Sequence, residues 1–193
     1  MHDFVTVVTG LPRSGTSMMM KMLDSGGMPV LVDHIRTADE DNPKGYYEFE
    51  RVKQIETDQA WLADAGGKAV KMVAALLKHL PTNYQYRIIF MQRSIGEVLA
   101  SQREMLRRRG EPADGLSDEE MAGMFAKHVE KIQSWLVQQH NMQVLYVRYR
   151  DVIENPAEQA RLINEFLGSI LDVGRMEETV DGTLYRQRQG ARR

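Results

Sequence analysis

The sequence contains no cysteine, and this absence excludes disulfide bonds, thiolate metal sites and cysteine nucleophiles. Long hydrophobic runs are also lacking, because no apolar stretch reaches the roughly 20 residues that a membrane-spanning helix needs. The first residues show no basic stretch ahead of a long apolar core, which a signal peptide would require. These absences predict a cytoplasmic protein without a membrane span.

An excess of charge of one sign is missing as well, since the formal net charge is −2. The overall charge therefore predicts no nucleic-acid partner, and any basic chemistry has to come from local clusters. Of the 193 residues, 42% are hydrophobic, which is enough apolar material for a core. The length predicts one domain over residues 1–193.

Short β-rich runs alternate with segments of helical periodicity along the chain. This alternation indicates a parallel sheet flanked by helices. The sequence therefore predicts the α/β class, with a central parallel sheet in a three-layer α/β/α arrangement. Predicted strands cover residues 4–8, 68–73, 86–92 and 144–147, and predicted helices cover residues 14–26, 48–65, 94–109, 117–139 and 155–167.

The segment from Gly10 to Ser17 lies between the first predicted strand and the first predicted helix. Backbone N–H groups and the helix dipole at such a place stabilise a bound phosphate. The two glycines have the spacing of a nucleotide P-loop, but Thr16 stands where kinases and NTPases carry a lysine. Arg13 could supply the missing positive charge. The alternative is that the glycines only make a tight turn between strand and helix.

A second basic residue, Arg93, follows the predicted strand 86–92, and Ser101 lies in the next helix. An arginine makes forked contacts with phosphate, and a serine adds a hydroxyl donor. The loop resembles the 5′-phosphosulfate loop of the sulfotransferase family, and the Arg93–Ser101 pair resembles the family's 3′-phosphate site. Tyr149 matches the tyrosine that contacts the donor's adenosine part. The donor-binding residues implied by this resemblance are Pro12, Arg13, Ser14, Gly15, Thr16, Ser17, Arg93, Ser101 and Tyr149.

The resemblance implies a short, bacterial-type sulfotransferase with a P-loop NTPase-like fold. It implies 3′-phosphoadenosine 5′-phosphosulfate (PAPS) as the sulfuryl donor and no metal cofactor. The acceptor would be a hydroxyl or amine of a small molecule or carbohydrate, bound by loops at residues 28–47 and 108–120. Because the chain is shorter than many family members, this pocket would be open or completed by the second subunit of a homodimer. The basic segment 185–193 is loosely similar to an element that closes over the 3′-phosphate.

The same resemblance implies three catalytic residues, which are Lys71, Glu48 and Arg13. Lys71 matches the family's lysine, which would stabilise the bridging oxygen as its bond to sulfur breaks. Two residues later, Val73 stands where cytosolic members carry a catalytic histidine, so the usual base is missing. Glu48 is the candidate base, because carbohydrate sulfotransferases use a glutamate. The alternative is that Glu48 only caps the next helix.

Two other functions fit a phosphate-binding loop of this kind. One is a small-molecule kinase that uses ATP and magnesium, and the other is a nucleotide-binding relative without catalysis. Only the sulfotransferase hypothesis needs a 3′-phosphate on the ligand.

Overall fold

The computed structural model describes residues 4–33, 35, 45–111 and 115–181. Part of the predicted acceptor loops and the basic segment 185–193 therefore lie outside the described residues. None of the helices in the described part of the chain is long and apolar enough to cross a membrane.

Four parallel strands form the central sheet, in the order β2-β1-β3-β4. The sheet confirms all four strand predictions and the predicted α/β class. Val7 in the middle of β1 lies beside Val70 of β2 and Ile88 of β3. The strands are β1 (Phe4–Gly10), β2 (Ala69–Lys71), β3 (Gln85–Gln92) and β4 (Met142–Arg148).

Six α-helices accompany the sheet in the described residues. Four of them confirm predicted helices, whereas α4 and α6 were not predicted. Pro156 lies in the first turn of α5, and the Asn155 side chain at the N-cap makes no capping hydrogen bond. The helices are α1 (Thr16–Ser25), α2 (Ile95–Arg109), α3 (Asp118–Leu136), α4 (Tyr149–Glu154), α5 (Pro156–Phe166) and α6 (Val173–Glu178).

Apolar side chains cover both faces of the sheet, which makes the three predicted layers. On one face, Ile89 packs in a cluster with methionines of α1 and with Ile163 of α5. On the other face, Ile88 packs with Trp61 and with Ile132 of α3. Consecutive residues of β3 thus point to opposite layers, as the alternation of side chains along a strand requires. The methionine-rich first helix is a core element.

The helix predicted over residues 48–65 is wrong. Two short 3-10 helices, Glu50–Gln54 and Ala60–Asp64, occupy this segment instead. Between them, Asp58 Oδ1 accepts a hydrogen bond from the backbone N–H of Ala60 at 3.1 Å, and its carboxylate also binds Arg51. Such a side-chain contact to nearby backbone competes with a continuous helix.

The order of the strands determines where a ligand would bind. After β1 the chain passes to β2 on one side of it, and it then returns to β3 on the other side. Open α/β sheets bind ligands at such a switch point, in the crevice outside the carboxyl ends of the strands. The segment after Gly10 and the segment after Gln92 both leave the sheet at this edge.

Helix α3 begins with a capping box formed by Ser117 and Glu120. The Ser117 hydroxyl accepts from the backbone N–H of Glu120 at 3.2 Å, and the Glu120 carboxylate accepts from the backbone N–H of Ser117 at 2.9 Å. We expect Ser117→Ala to lower the free energy of unfolding by about 1 kcal/mol, because this capping box is lost. Urea denaturation measures the loss. Ser134→Ala, at an exposed position of the same helix, is the control, and an equal effect of both changes would contradict the capping role.

Candidate functional site

The loop after β1 is shaped by two glycines with positive φ angles, Gly10 at 149° and Gly15 at 99°. A Cβ atom on Gly10 would lie 2.6 Å from the carbonyl oxygen of Met91. A Cβ atom on Gly15 would lie 2.4 Å from the ring of Tyr149. The glycines therefore do make a tight turn, and they also let β3 and Tyr149 approach the loop closely.

Hydrogen-bond donors of the loop remain available for a ligand. No side chain caps the N-terminus of α1, whose N-cap is Gly15, so backbone N–H groups of the first turn point out of the helix. Within the described part of the chain, the buried Ser14 hydroxyl has no hydrogen-bond partner. Buried hydroxyls are normally hydrogen-bonded. Helix N-termini are favourable places for phosphate and sulfate groups, so the loop fits an anionic group.

The Arg93 guanidinium joins three segments at the carboxyl end of β3. Its Nε donates to Glu97 Oε2 at 3.1 Å, and its Nη1 donates to the carbonyl oxygen of Arg13 at 3.0 Å. Its central carbon lies 4.4 Å from the centre of the Tyr149 ring. The Arg93 and Glu97 side chains are only 8% and 7% exposed. The loop, the start of α2 and the start of α4 therefore meet at one buried cation.

Arg13 points toward this same group. Its Nε donates to Ser101 Oγ at 3.0 Å, so the loop arginine reaches the serine predicted for the 3′-phosphate. Arg13 has a positive φ of 66°, which is uncommon for a residue with a side chain. The structure thus brings Arg13, Arg93, Ser101 and Tyr149 together. The side chain that was expected to supply charge within the loop lies beside the predicted 3′-phosphate residues.

Tyr149 is buried at the first position of α4. Burial raises the pKa of its hydroxyl, and the nearby Arg93 guanidinium opposes this shift in part. The hydroxyl therefore stays protonated at neutral pH, so it can act as a hydrogen-bond donor as well as an acceptor. The Tyr149 ring lies against Gly15, and the Arg93 guanidinium lies over this ring.

A second polar cluster lies at the carboxyl end of β2. Lys71 Nζ donates to Ser17 Oγ at 3.3 Å and to the carbonyl oxygen of Tyr46. Glu48 Oε1 lies 3.6 Å from the same nitrogen. The structure therefore brings the predicted catalytic lysine and the candidate base together beside the first turn of α1. Both side chains are partly accessible, at 15% and 24% exposure.

Glu48 does not cap the 3-10 helix that follows it. The N-cap position is Phe49, and the carboxylate of Asp33 accepts from the backbone N–H of Glu50 at 2.6 Å. Val73, at the position of the missing histidine, is 52% exposed. His79 is the first histidine along the chain after Val73. It ends the 3-10 helix Ala74–His79, and its carbonyl accepts a hydrogen bond from Gln59.

The remaining predicted donor residues lie in the loop and at the start of α1. Pro12 is exposed in the turn that the hydrogen bond from Ser14 N to Leu11 O closes, and Thr16 is the first residue of α1. Sequence reasoning missed two groups, the Tyr46 carbonyl and Glu97. A backbone carbonyl leaves no side-chain signal, whereas Glu97 could have been noticed as an acidic residue four positions after Arg93.

Comparison with known proteins identifies similar folds. The family model for the sulfotransferase domain matches residues 4–192. A sulfotransferase domain from the curacin biosynthetic pathway is 16% identical, with a TM-score of 0.53 and coverage of 98% of this chain and 93% of the other. A sulfotransferase from Alicyclobacillus acidocaldarius is 14% identical, with a TM-score of 0.53 and coverage of 96% and 100%. A mouse sulfotransferase complexed with PAP is 12% identical, with a TM-score of 0.53 and coverage of 93% and 63%.

The packing of Tyr149 on the loop can be tested with one added methyl group. We expect Gly15→Ala to lower the free energy of unfolding. A left-handed backbone costs a residue with a side chain about 1 to 2 kcal/mol, and the clash of the new methyl group with Tyr149 increases this loss. Thermal denaturation measures the change. Gly123→Ala, where an added Cβ meets nothing within 4 Å, is the control and is expected to be neutral or stabilising in its helix. Equal stability of the two variants would contradict the contact.

Proposed function

The chain belongs to the sulfotransferase domain family, which matches nearly its whole length, and on this premise we propose that PAPS is its sulfuryl donor. The acceptor is a hydroxyl or amine of a small molecule or carbohydrate, and the reaction takes place in the cytoplasm without a metal ion. The observation that carries the proposal is the group formed by Arg13, Arg93 and Ser101 at the carboxyl end of β3. Two arginines and a hydroxyl suit a terminal phosphate, which binds several charge-assisted donors.

In this proposal the two clusters bind opposite ends of the donor. The loop and the first turn of α1 hold the 5′-phosphosulfate, and the orphaned Ser14 hydroxyl supports this assignment. Arg93, Ser101 and Arg13 bind the 3′-phosphate, and Tyr149 contacts the adenosine part. The mouse sulfotransferase is complexed with PAP (3′-phosphoadenosine 5′-phosphate), and this complex supports a bisphosphate ligand for this fold.

The cluster at β2 then faces the reacting atoms. The acceptor oxygen or nitrogen forms a new bond to sulfur while the bond between sulfur and the bridging oxygen breaks, and PAP leaves with the electron pair. Lys71 stabilises the negative charge that develops on the bridging oxygen. Glu48 takes the proton of the acceptor. The 3.6 Å separation of their charged atoms supports the pairing of these two roles.

A kinase reaction has less support from the residues of the loop. Thr16 stands where a P-loop kinase needs a lysine for the β- and γ-phosphates. The Lys71 amine is instead supplied by β2 and contacts Ser17, whose hydroxyl would bind magnesium in a P-loop NTPase.

Ligand binding distinguishes the two donors. We expect isothermal calorimetry to show tighter binding of PAP than of adenosine 5′-phosphate or of ATP with magnesium, because only PAP carries a 3′-phosphate. Arg93→Ala should weaken the binding of PAP by about 2 kcal/mol, because a charge-assisted contact is lost. It should weaken the binding of adenosine 5′-phosphate less. Arg175→Ala removes an exposed arginine of α6 and serves as the control. Tighter binding of ATP by the unchanged protein would overturn the proposal.

Catalysis is tested separately from binding. We expect Lys71→Ala and Glu48→Gln each to lower turnover by about 10²-fold or more while PAP affinity stays within a few-fold of the unchanged protein. Transfer of a radiolabelled sulfuryl group from PAPS to a panel of phenols, sterols and sugars measures turnover. Lys53→Ala, in an exposed pair with Glu50, is the matched control. Full activity of Glu48→Gln would remove Glu48 as the base.

A further inference from the structure

Glu97 is a buried carboxylate for which the proposed reaction has no role. It is 6% exposed, and acidic side chains are almost never fully buried unless they are paired. Its place in the first turn of α2 suits the helix dipole, but a dipole contact does not require burial. The N-cap Ser94 makes no side-chain capping bond, so Glu97 is not part of a capping box there.

The geometry directs Glu97 at Arg93. Arg93 lies two residues before α2 and Glu97 in its first turn, and Glu97 accepts from the Nε edge of the guanidinium at 3.1 Å. The Arg13 carbonyl accepts from Nη1, and the Tyr149 ring lies against the face. Two edge contacts and one face contact fix both the position and the rotation of the guanidinium plane. Glu97 supplies the one edge contact in this set that comes from a carboxylate.

We propose that Glu97 is a positioning residue for recognition of the 3′-phosphate. It holds the Arg93 guanidinium in its binding orientation before the ligand arrives, and so sets the preference for a nucleotide with a 3′-phosphate over one without it. This inference rests on the proposed donor. The physical reason is pre-organisation, because an arginine side chain that is already ordered loses less conformational entropy when the ligand binds.

Glu97 also balances charge in the site. The Arg13 guanidinium donates to Ser101, and the Arg13 carbonyl accepts from Arg93, so two cations lie in one partly buried region. A carboxylate on the Nε edge stabilises Arg93 there before a phosphate is bound. The effect of Glu97 on ligand binding therefore passes through Arg93, and it should vanish when Arg93 is removed.

The test is a double-mutant cycle that measures the ratio of the dissociation constants for adenosine 5′-phosphate and PAP. We expect Glu97→Ala to lower this ratio about tenfold and to change it less than twofold in an Arg93→Ala background, since a residue that acts through another has no effect without it. Glu97→Gln keeps an oxygen that accepts from Nε and should stay within about threefold of the unchanged protein. The matched control is Glu104→Ala, which removes a glutamate of the same helix that pairs with the exposed Arg107.

Two results would overturn the positioning role. They are an unchanged ratio in Glu97→Ala, which includes equal weakening of both ligands, and the same drop in the Arg93→Ala background. If Glu97→Ala does not fold, Glu97→Asp decides, because it keeps the charge but withdraws the carboxylate by one methylene. A lowered ratio then supports the role and an unchanged ratio contradicts it. A ratio near one in the unchanged protein would instead refute the proposed donor, so the two failures are distinguishable.

Discussion

The Arg93 guanidinium is a full positive charge held almost entirely out of water, and the geometry of the site depends on how that charge is compensated. A buried cation is stable only when its hydrogen bonds are made and a negative group lies close to it. Glu97 and the Arg13 carbonyl meet these needs, and the Tyr149 ring covers its face. The requirement brings three separate segments of the chain to one point.

The second cluster follows the same rule with a more accessible cation. Lys71 lies against the Tyr46 carbonyl and close to the Glu48 carboxylate. Each of the two clusters thus has a cation beside a carboxylate, and the first turn of α1 contacts the second cluster through Ser17, which accepts from Lys71. The net charge of −2 carries no trace of this arrangement, because the compensation is local.

Strands β1 and β3 could be predicted because they are buried on both faces, so β3 reads as a nearly continuous apolar run. The six-residue helices α4 and α6 are too short to show a helical period. The helix prediction for residues 48–65 was wrong because the Asp58 side chain binds the backbone in the middle of this segment. Motif residues of the loop and of the segment after β3 predicted the candidate site. The direction of the Arg13 side chain could not be predicted, because the packing of α2 determines where its partner Ser101 lies.

The contacts that join the loop to Ser101 and Arg93 span 88 and 80 residues of the chain. The conformation of the loop therefore depends on more than the segment that carries its motif, because Arg13 contacts Ser101 of α2 and the Arg93 side chain after β3. Contacts between such distant residues carry a high entropic cost of loop closure during folding. Occupation of the site is consequently coupled to the global folding equilibrium, so that a bound nucleotide stabilises the whole sheet and not only the loop.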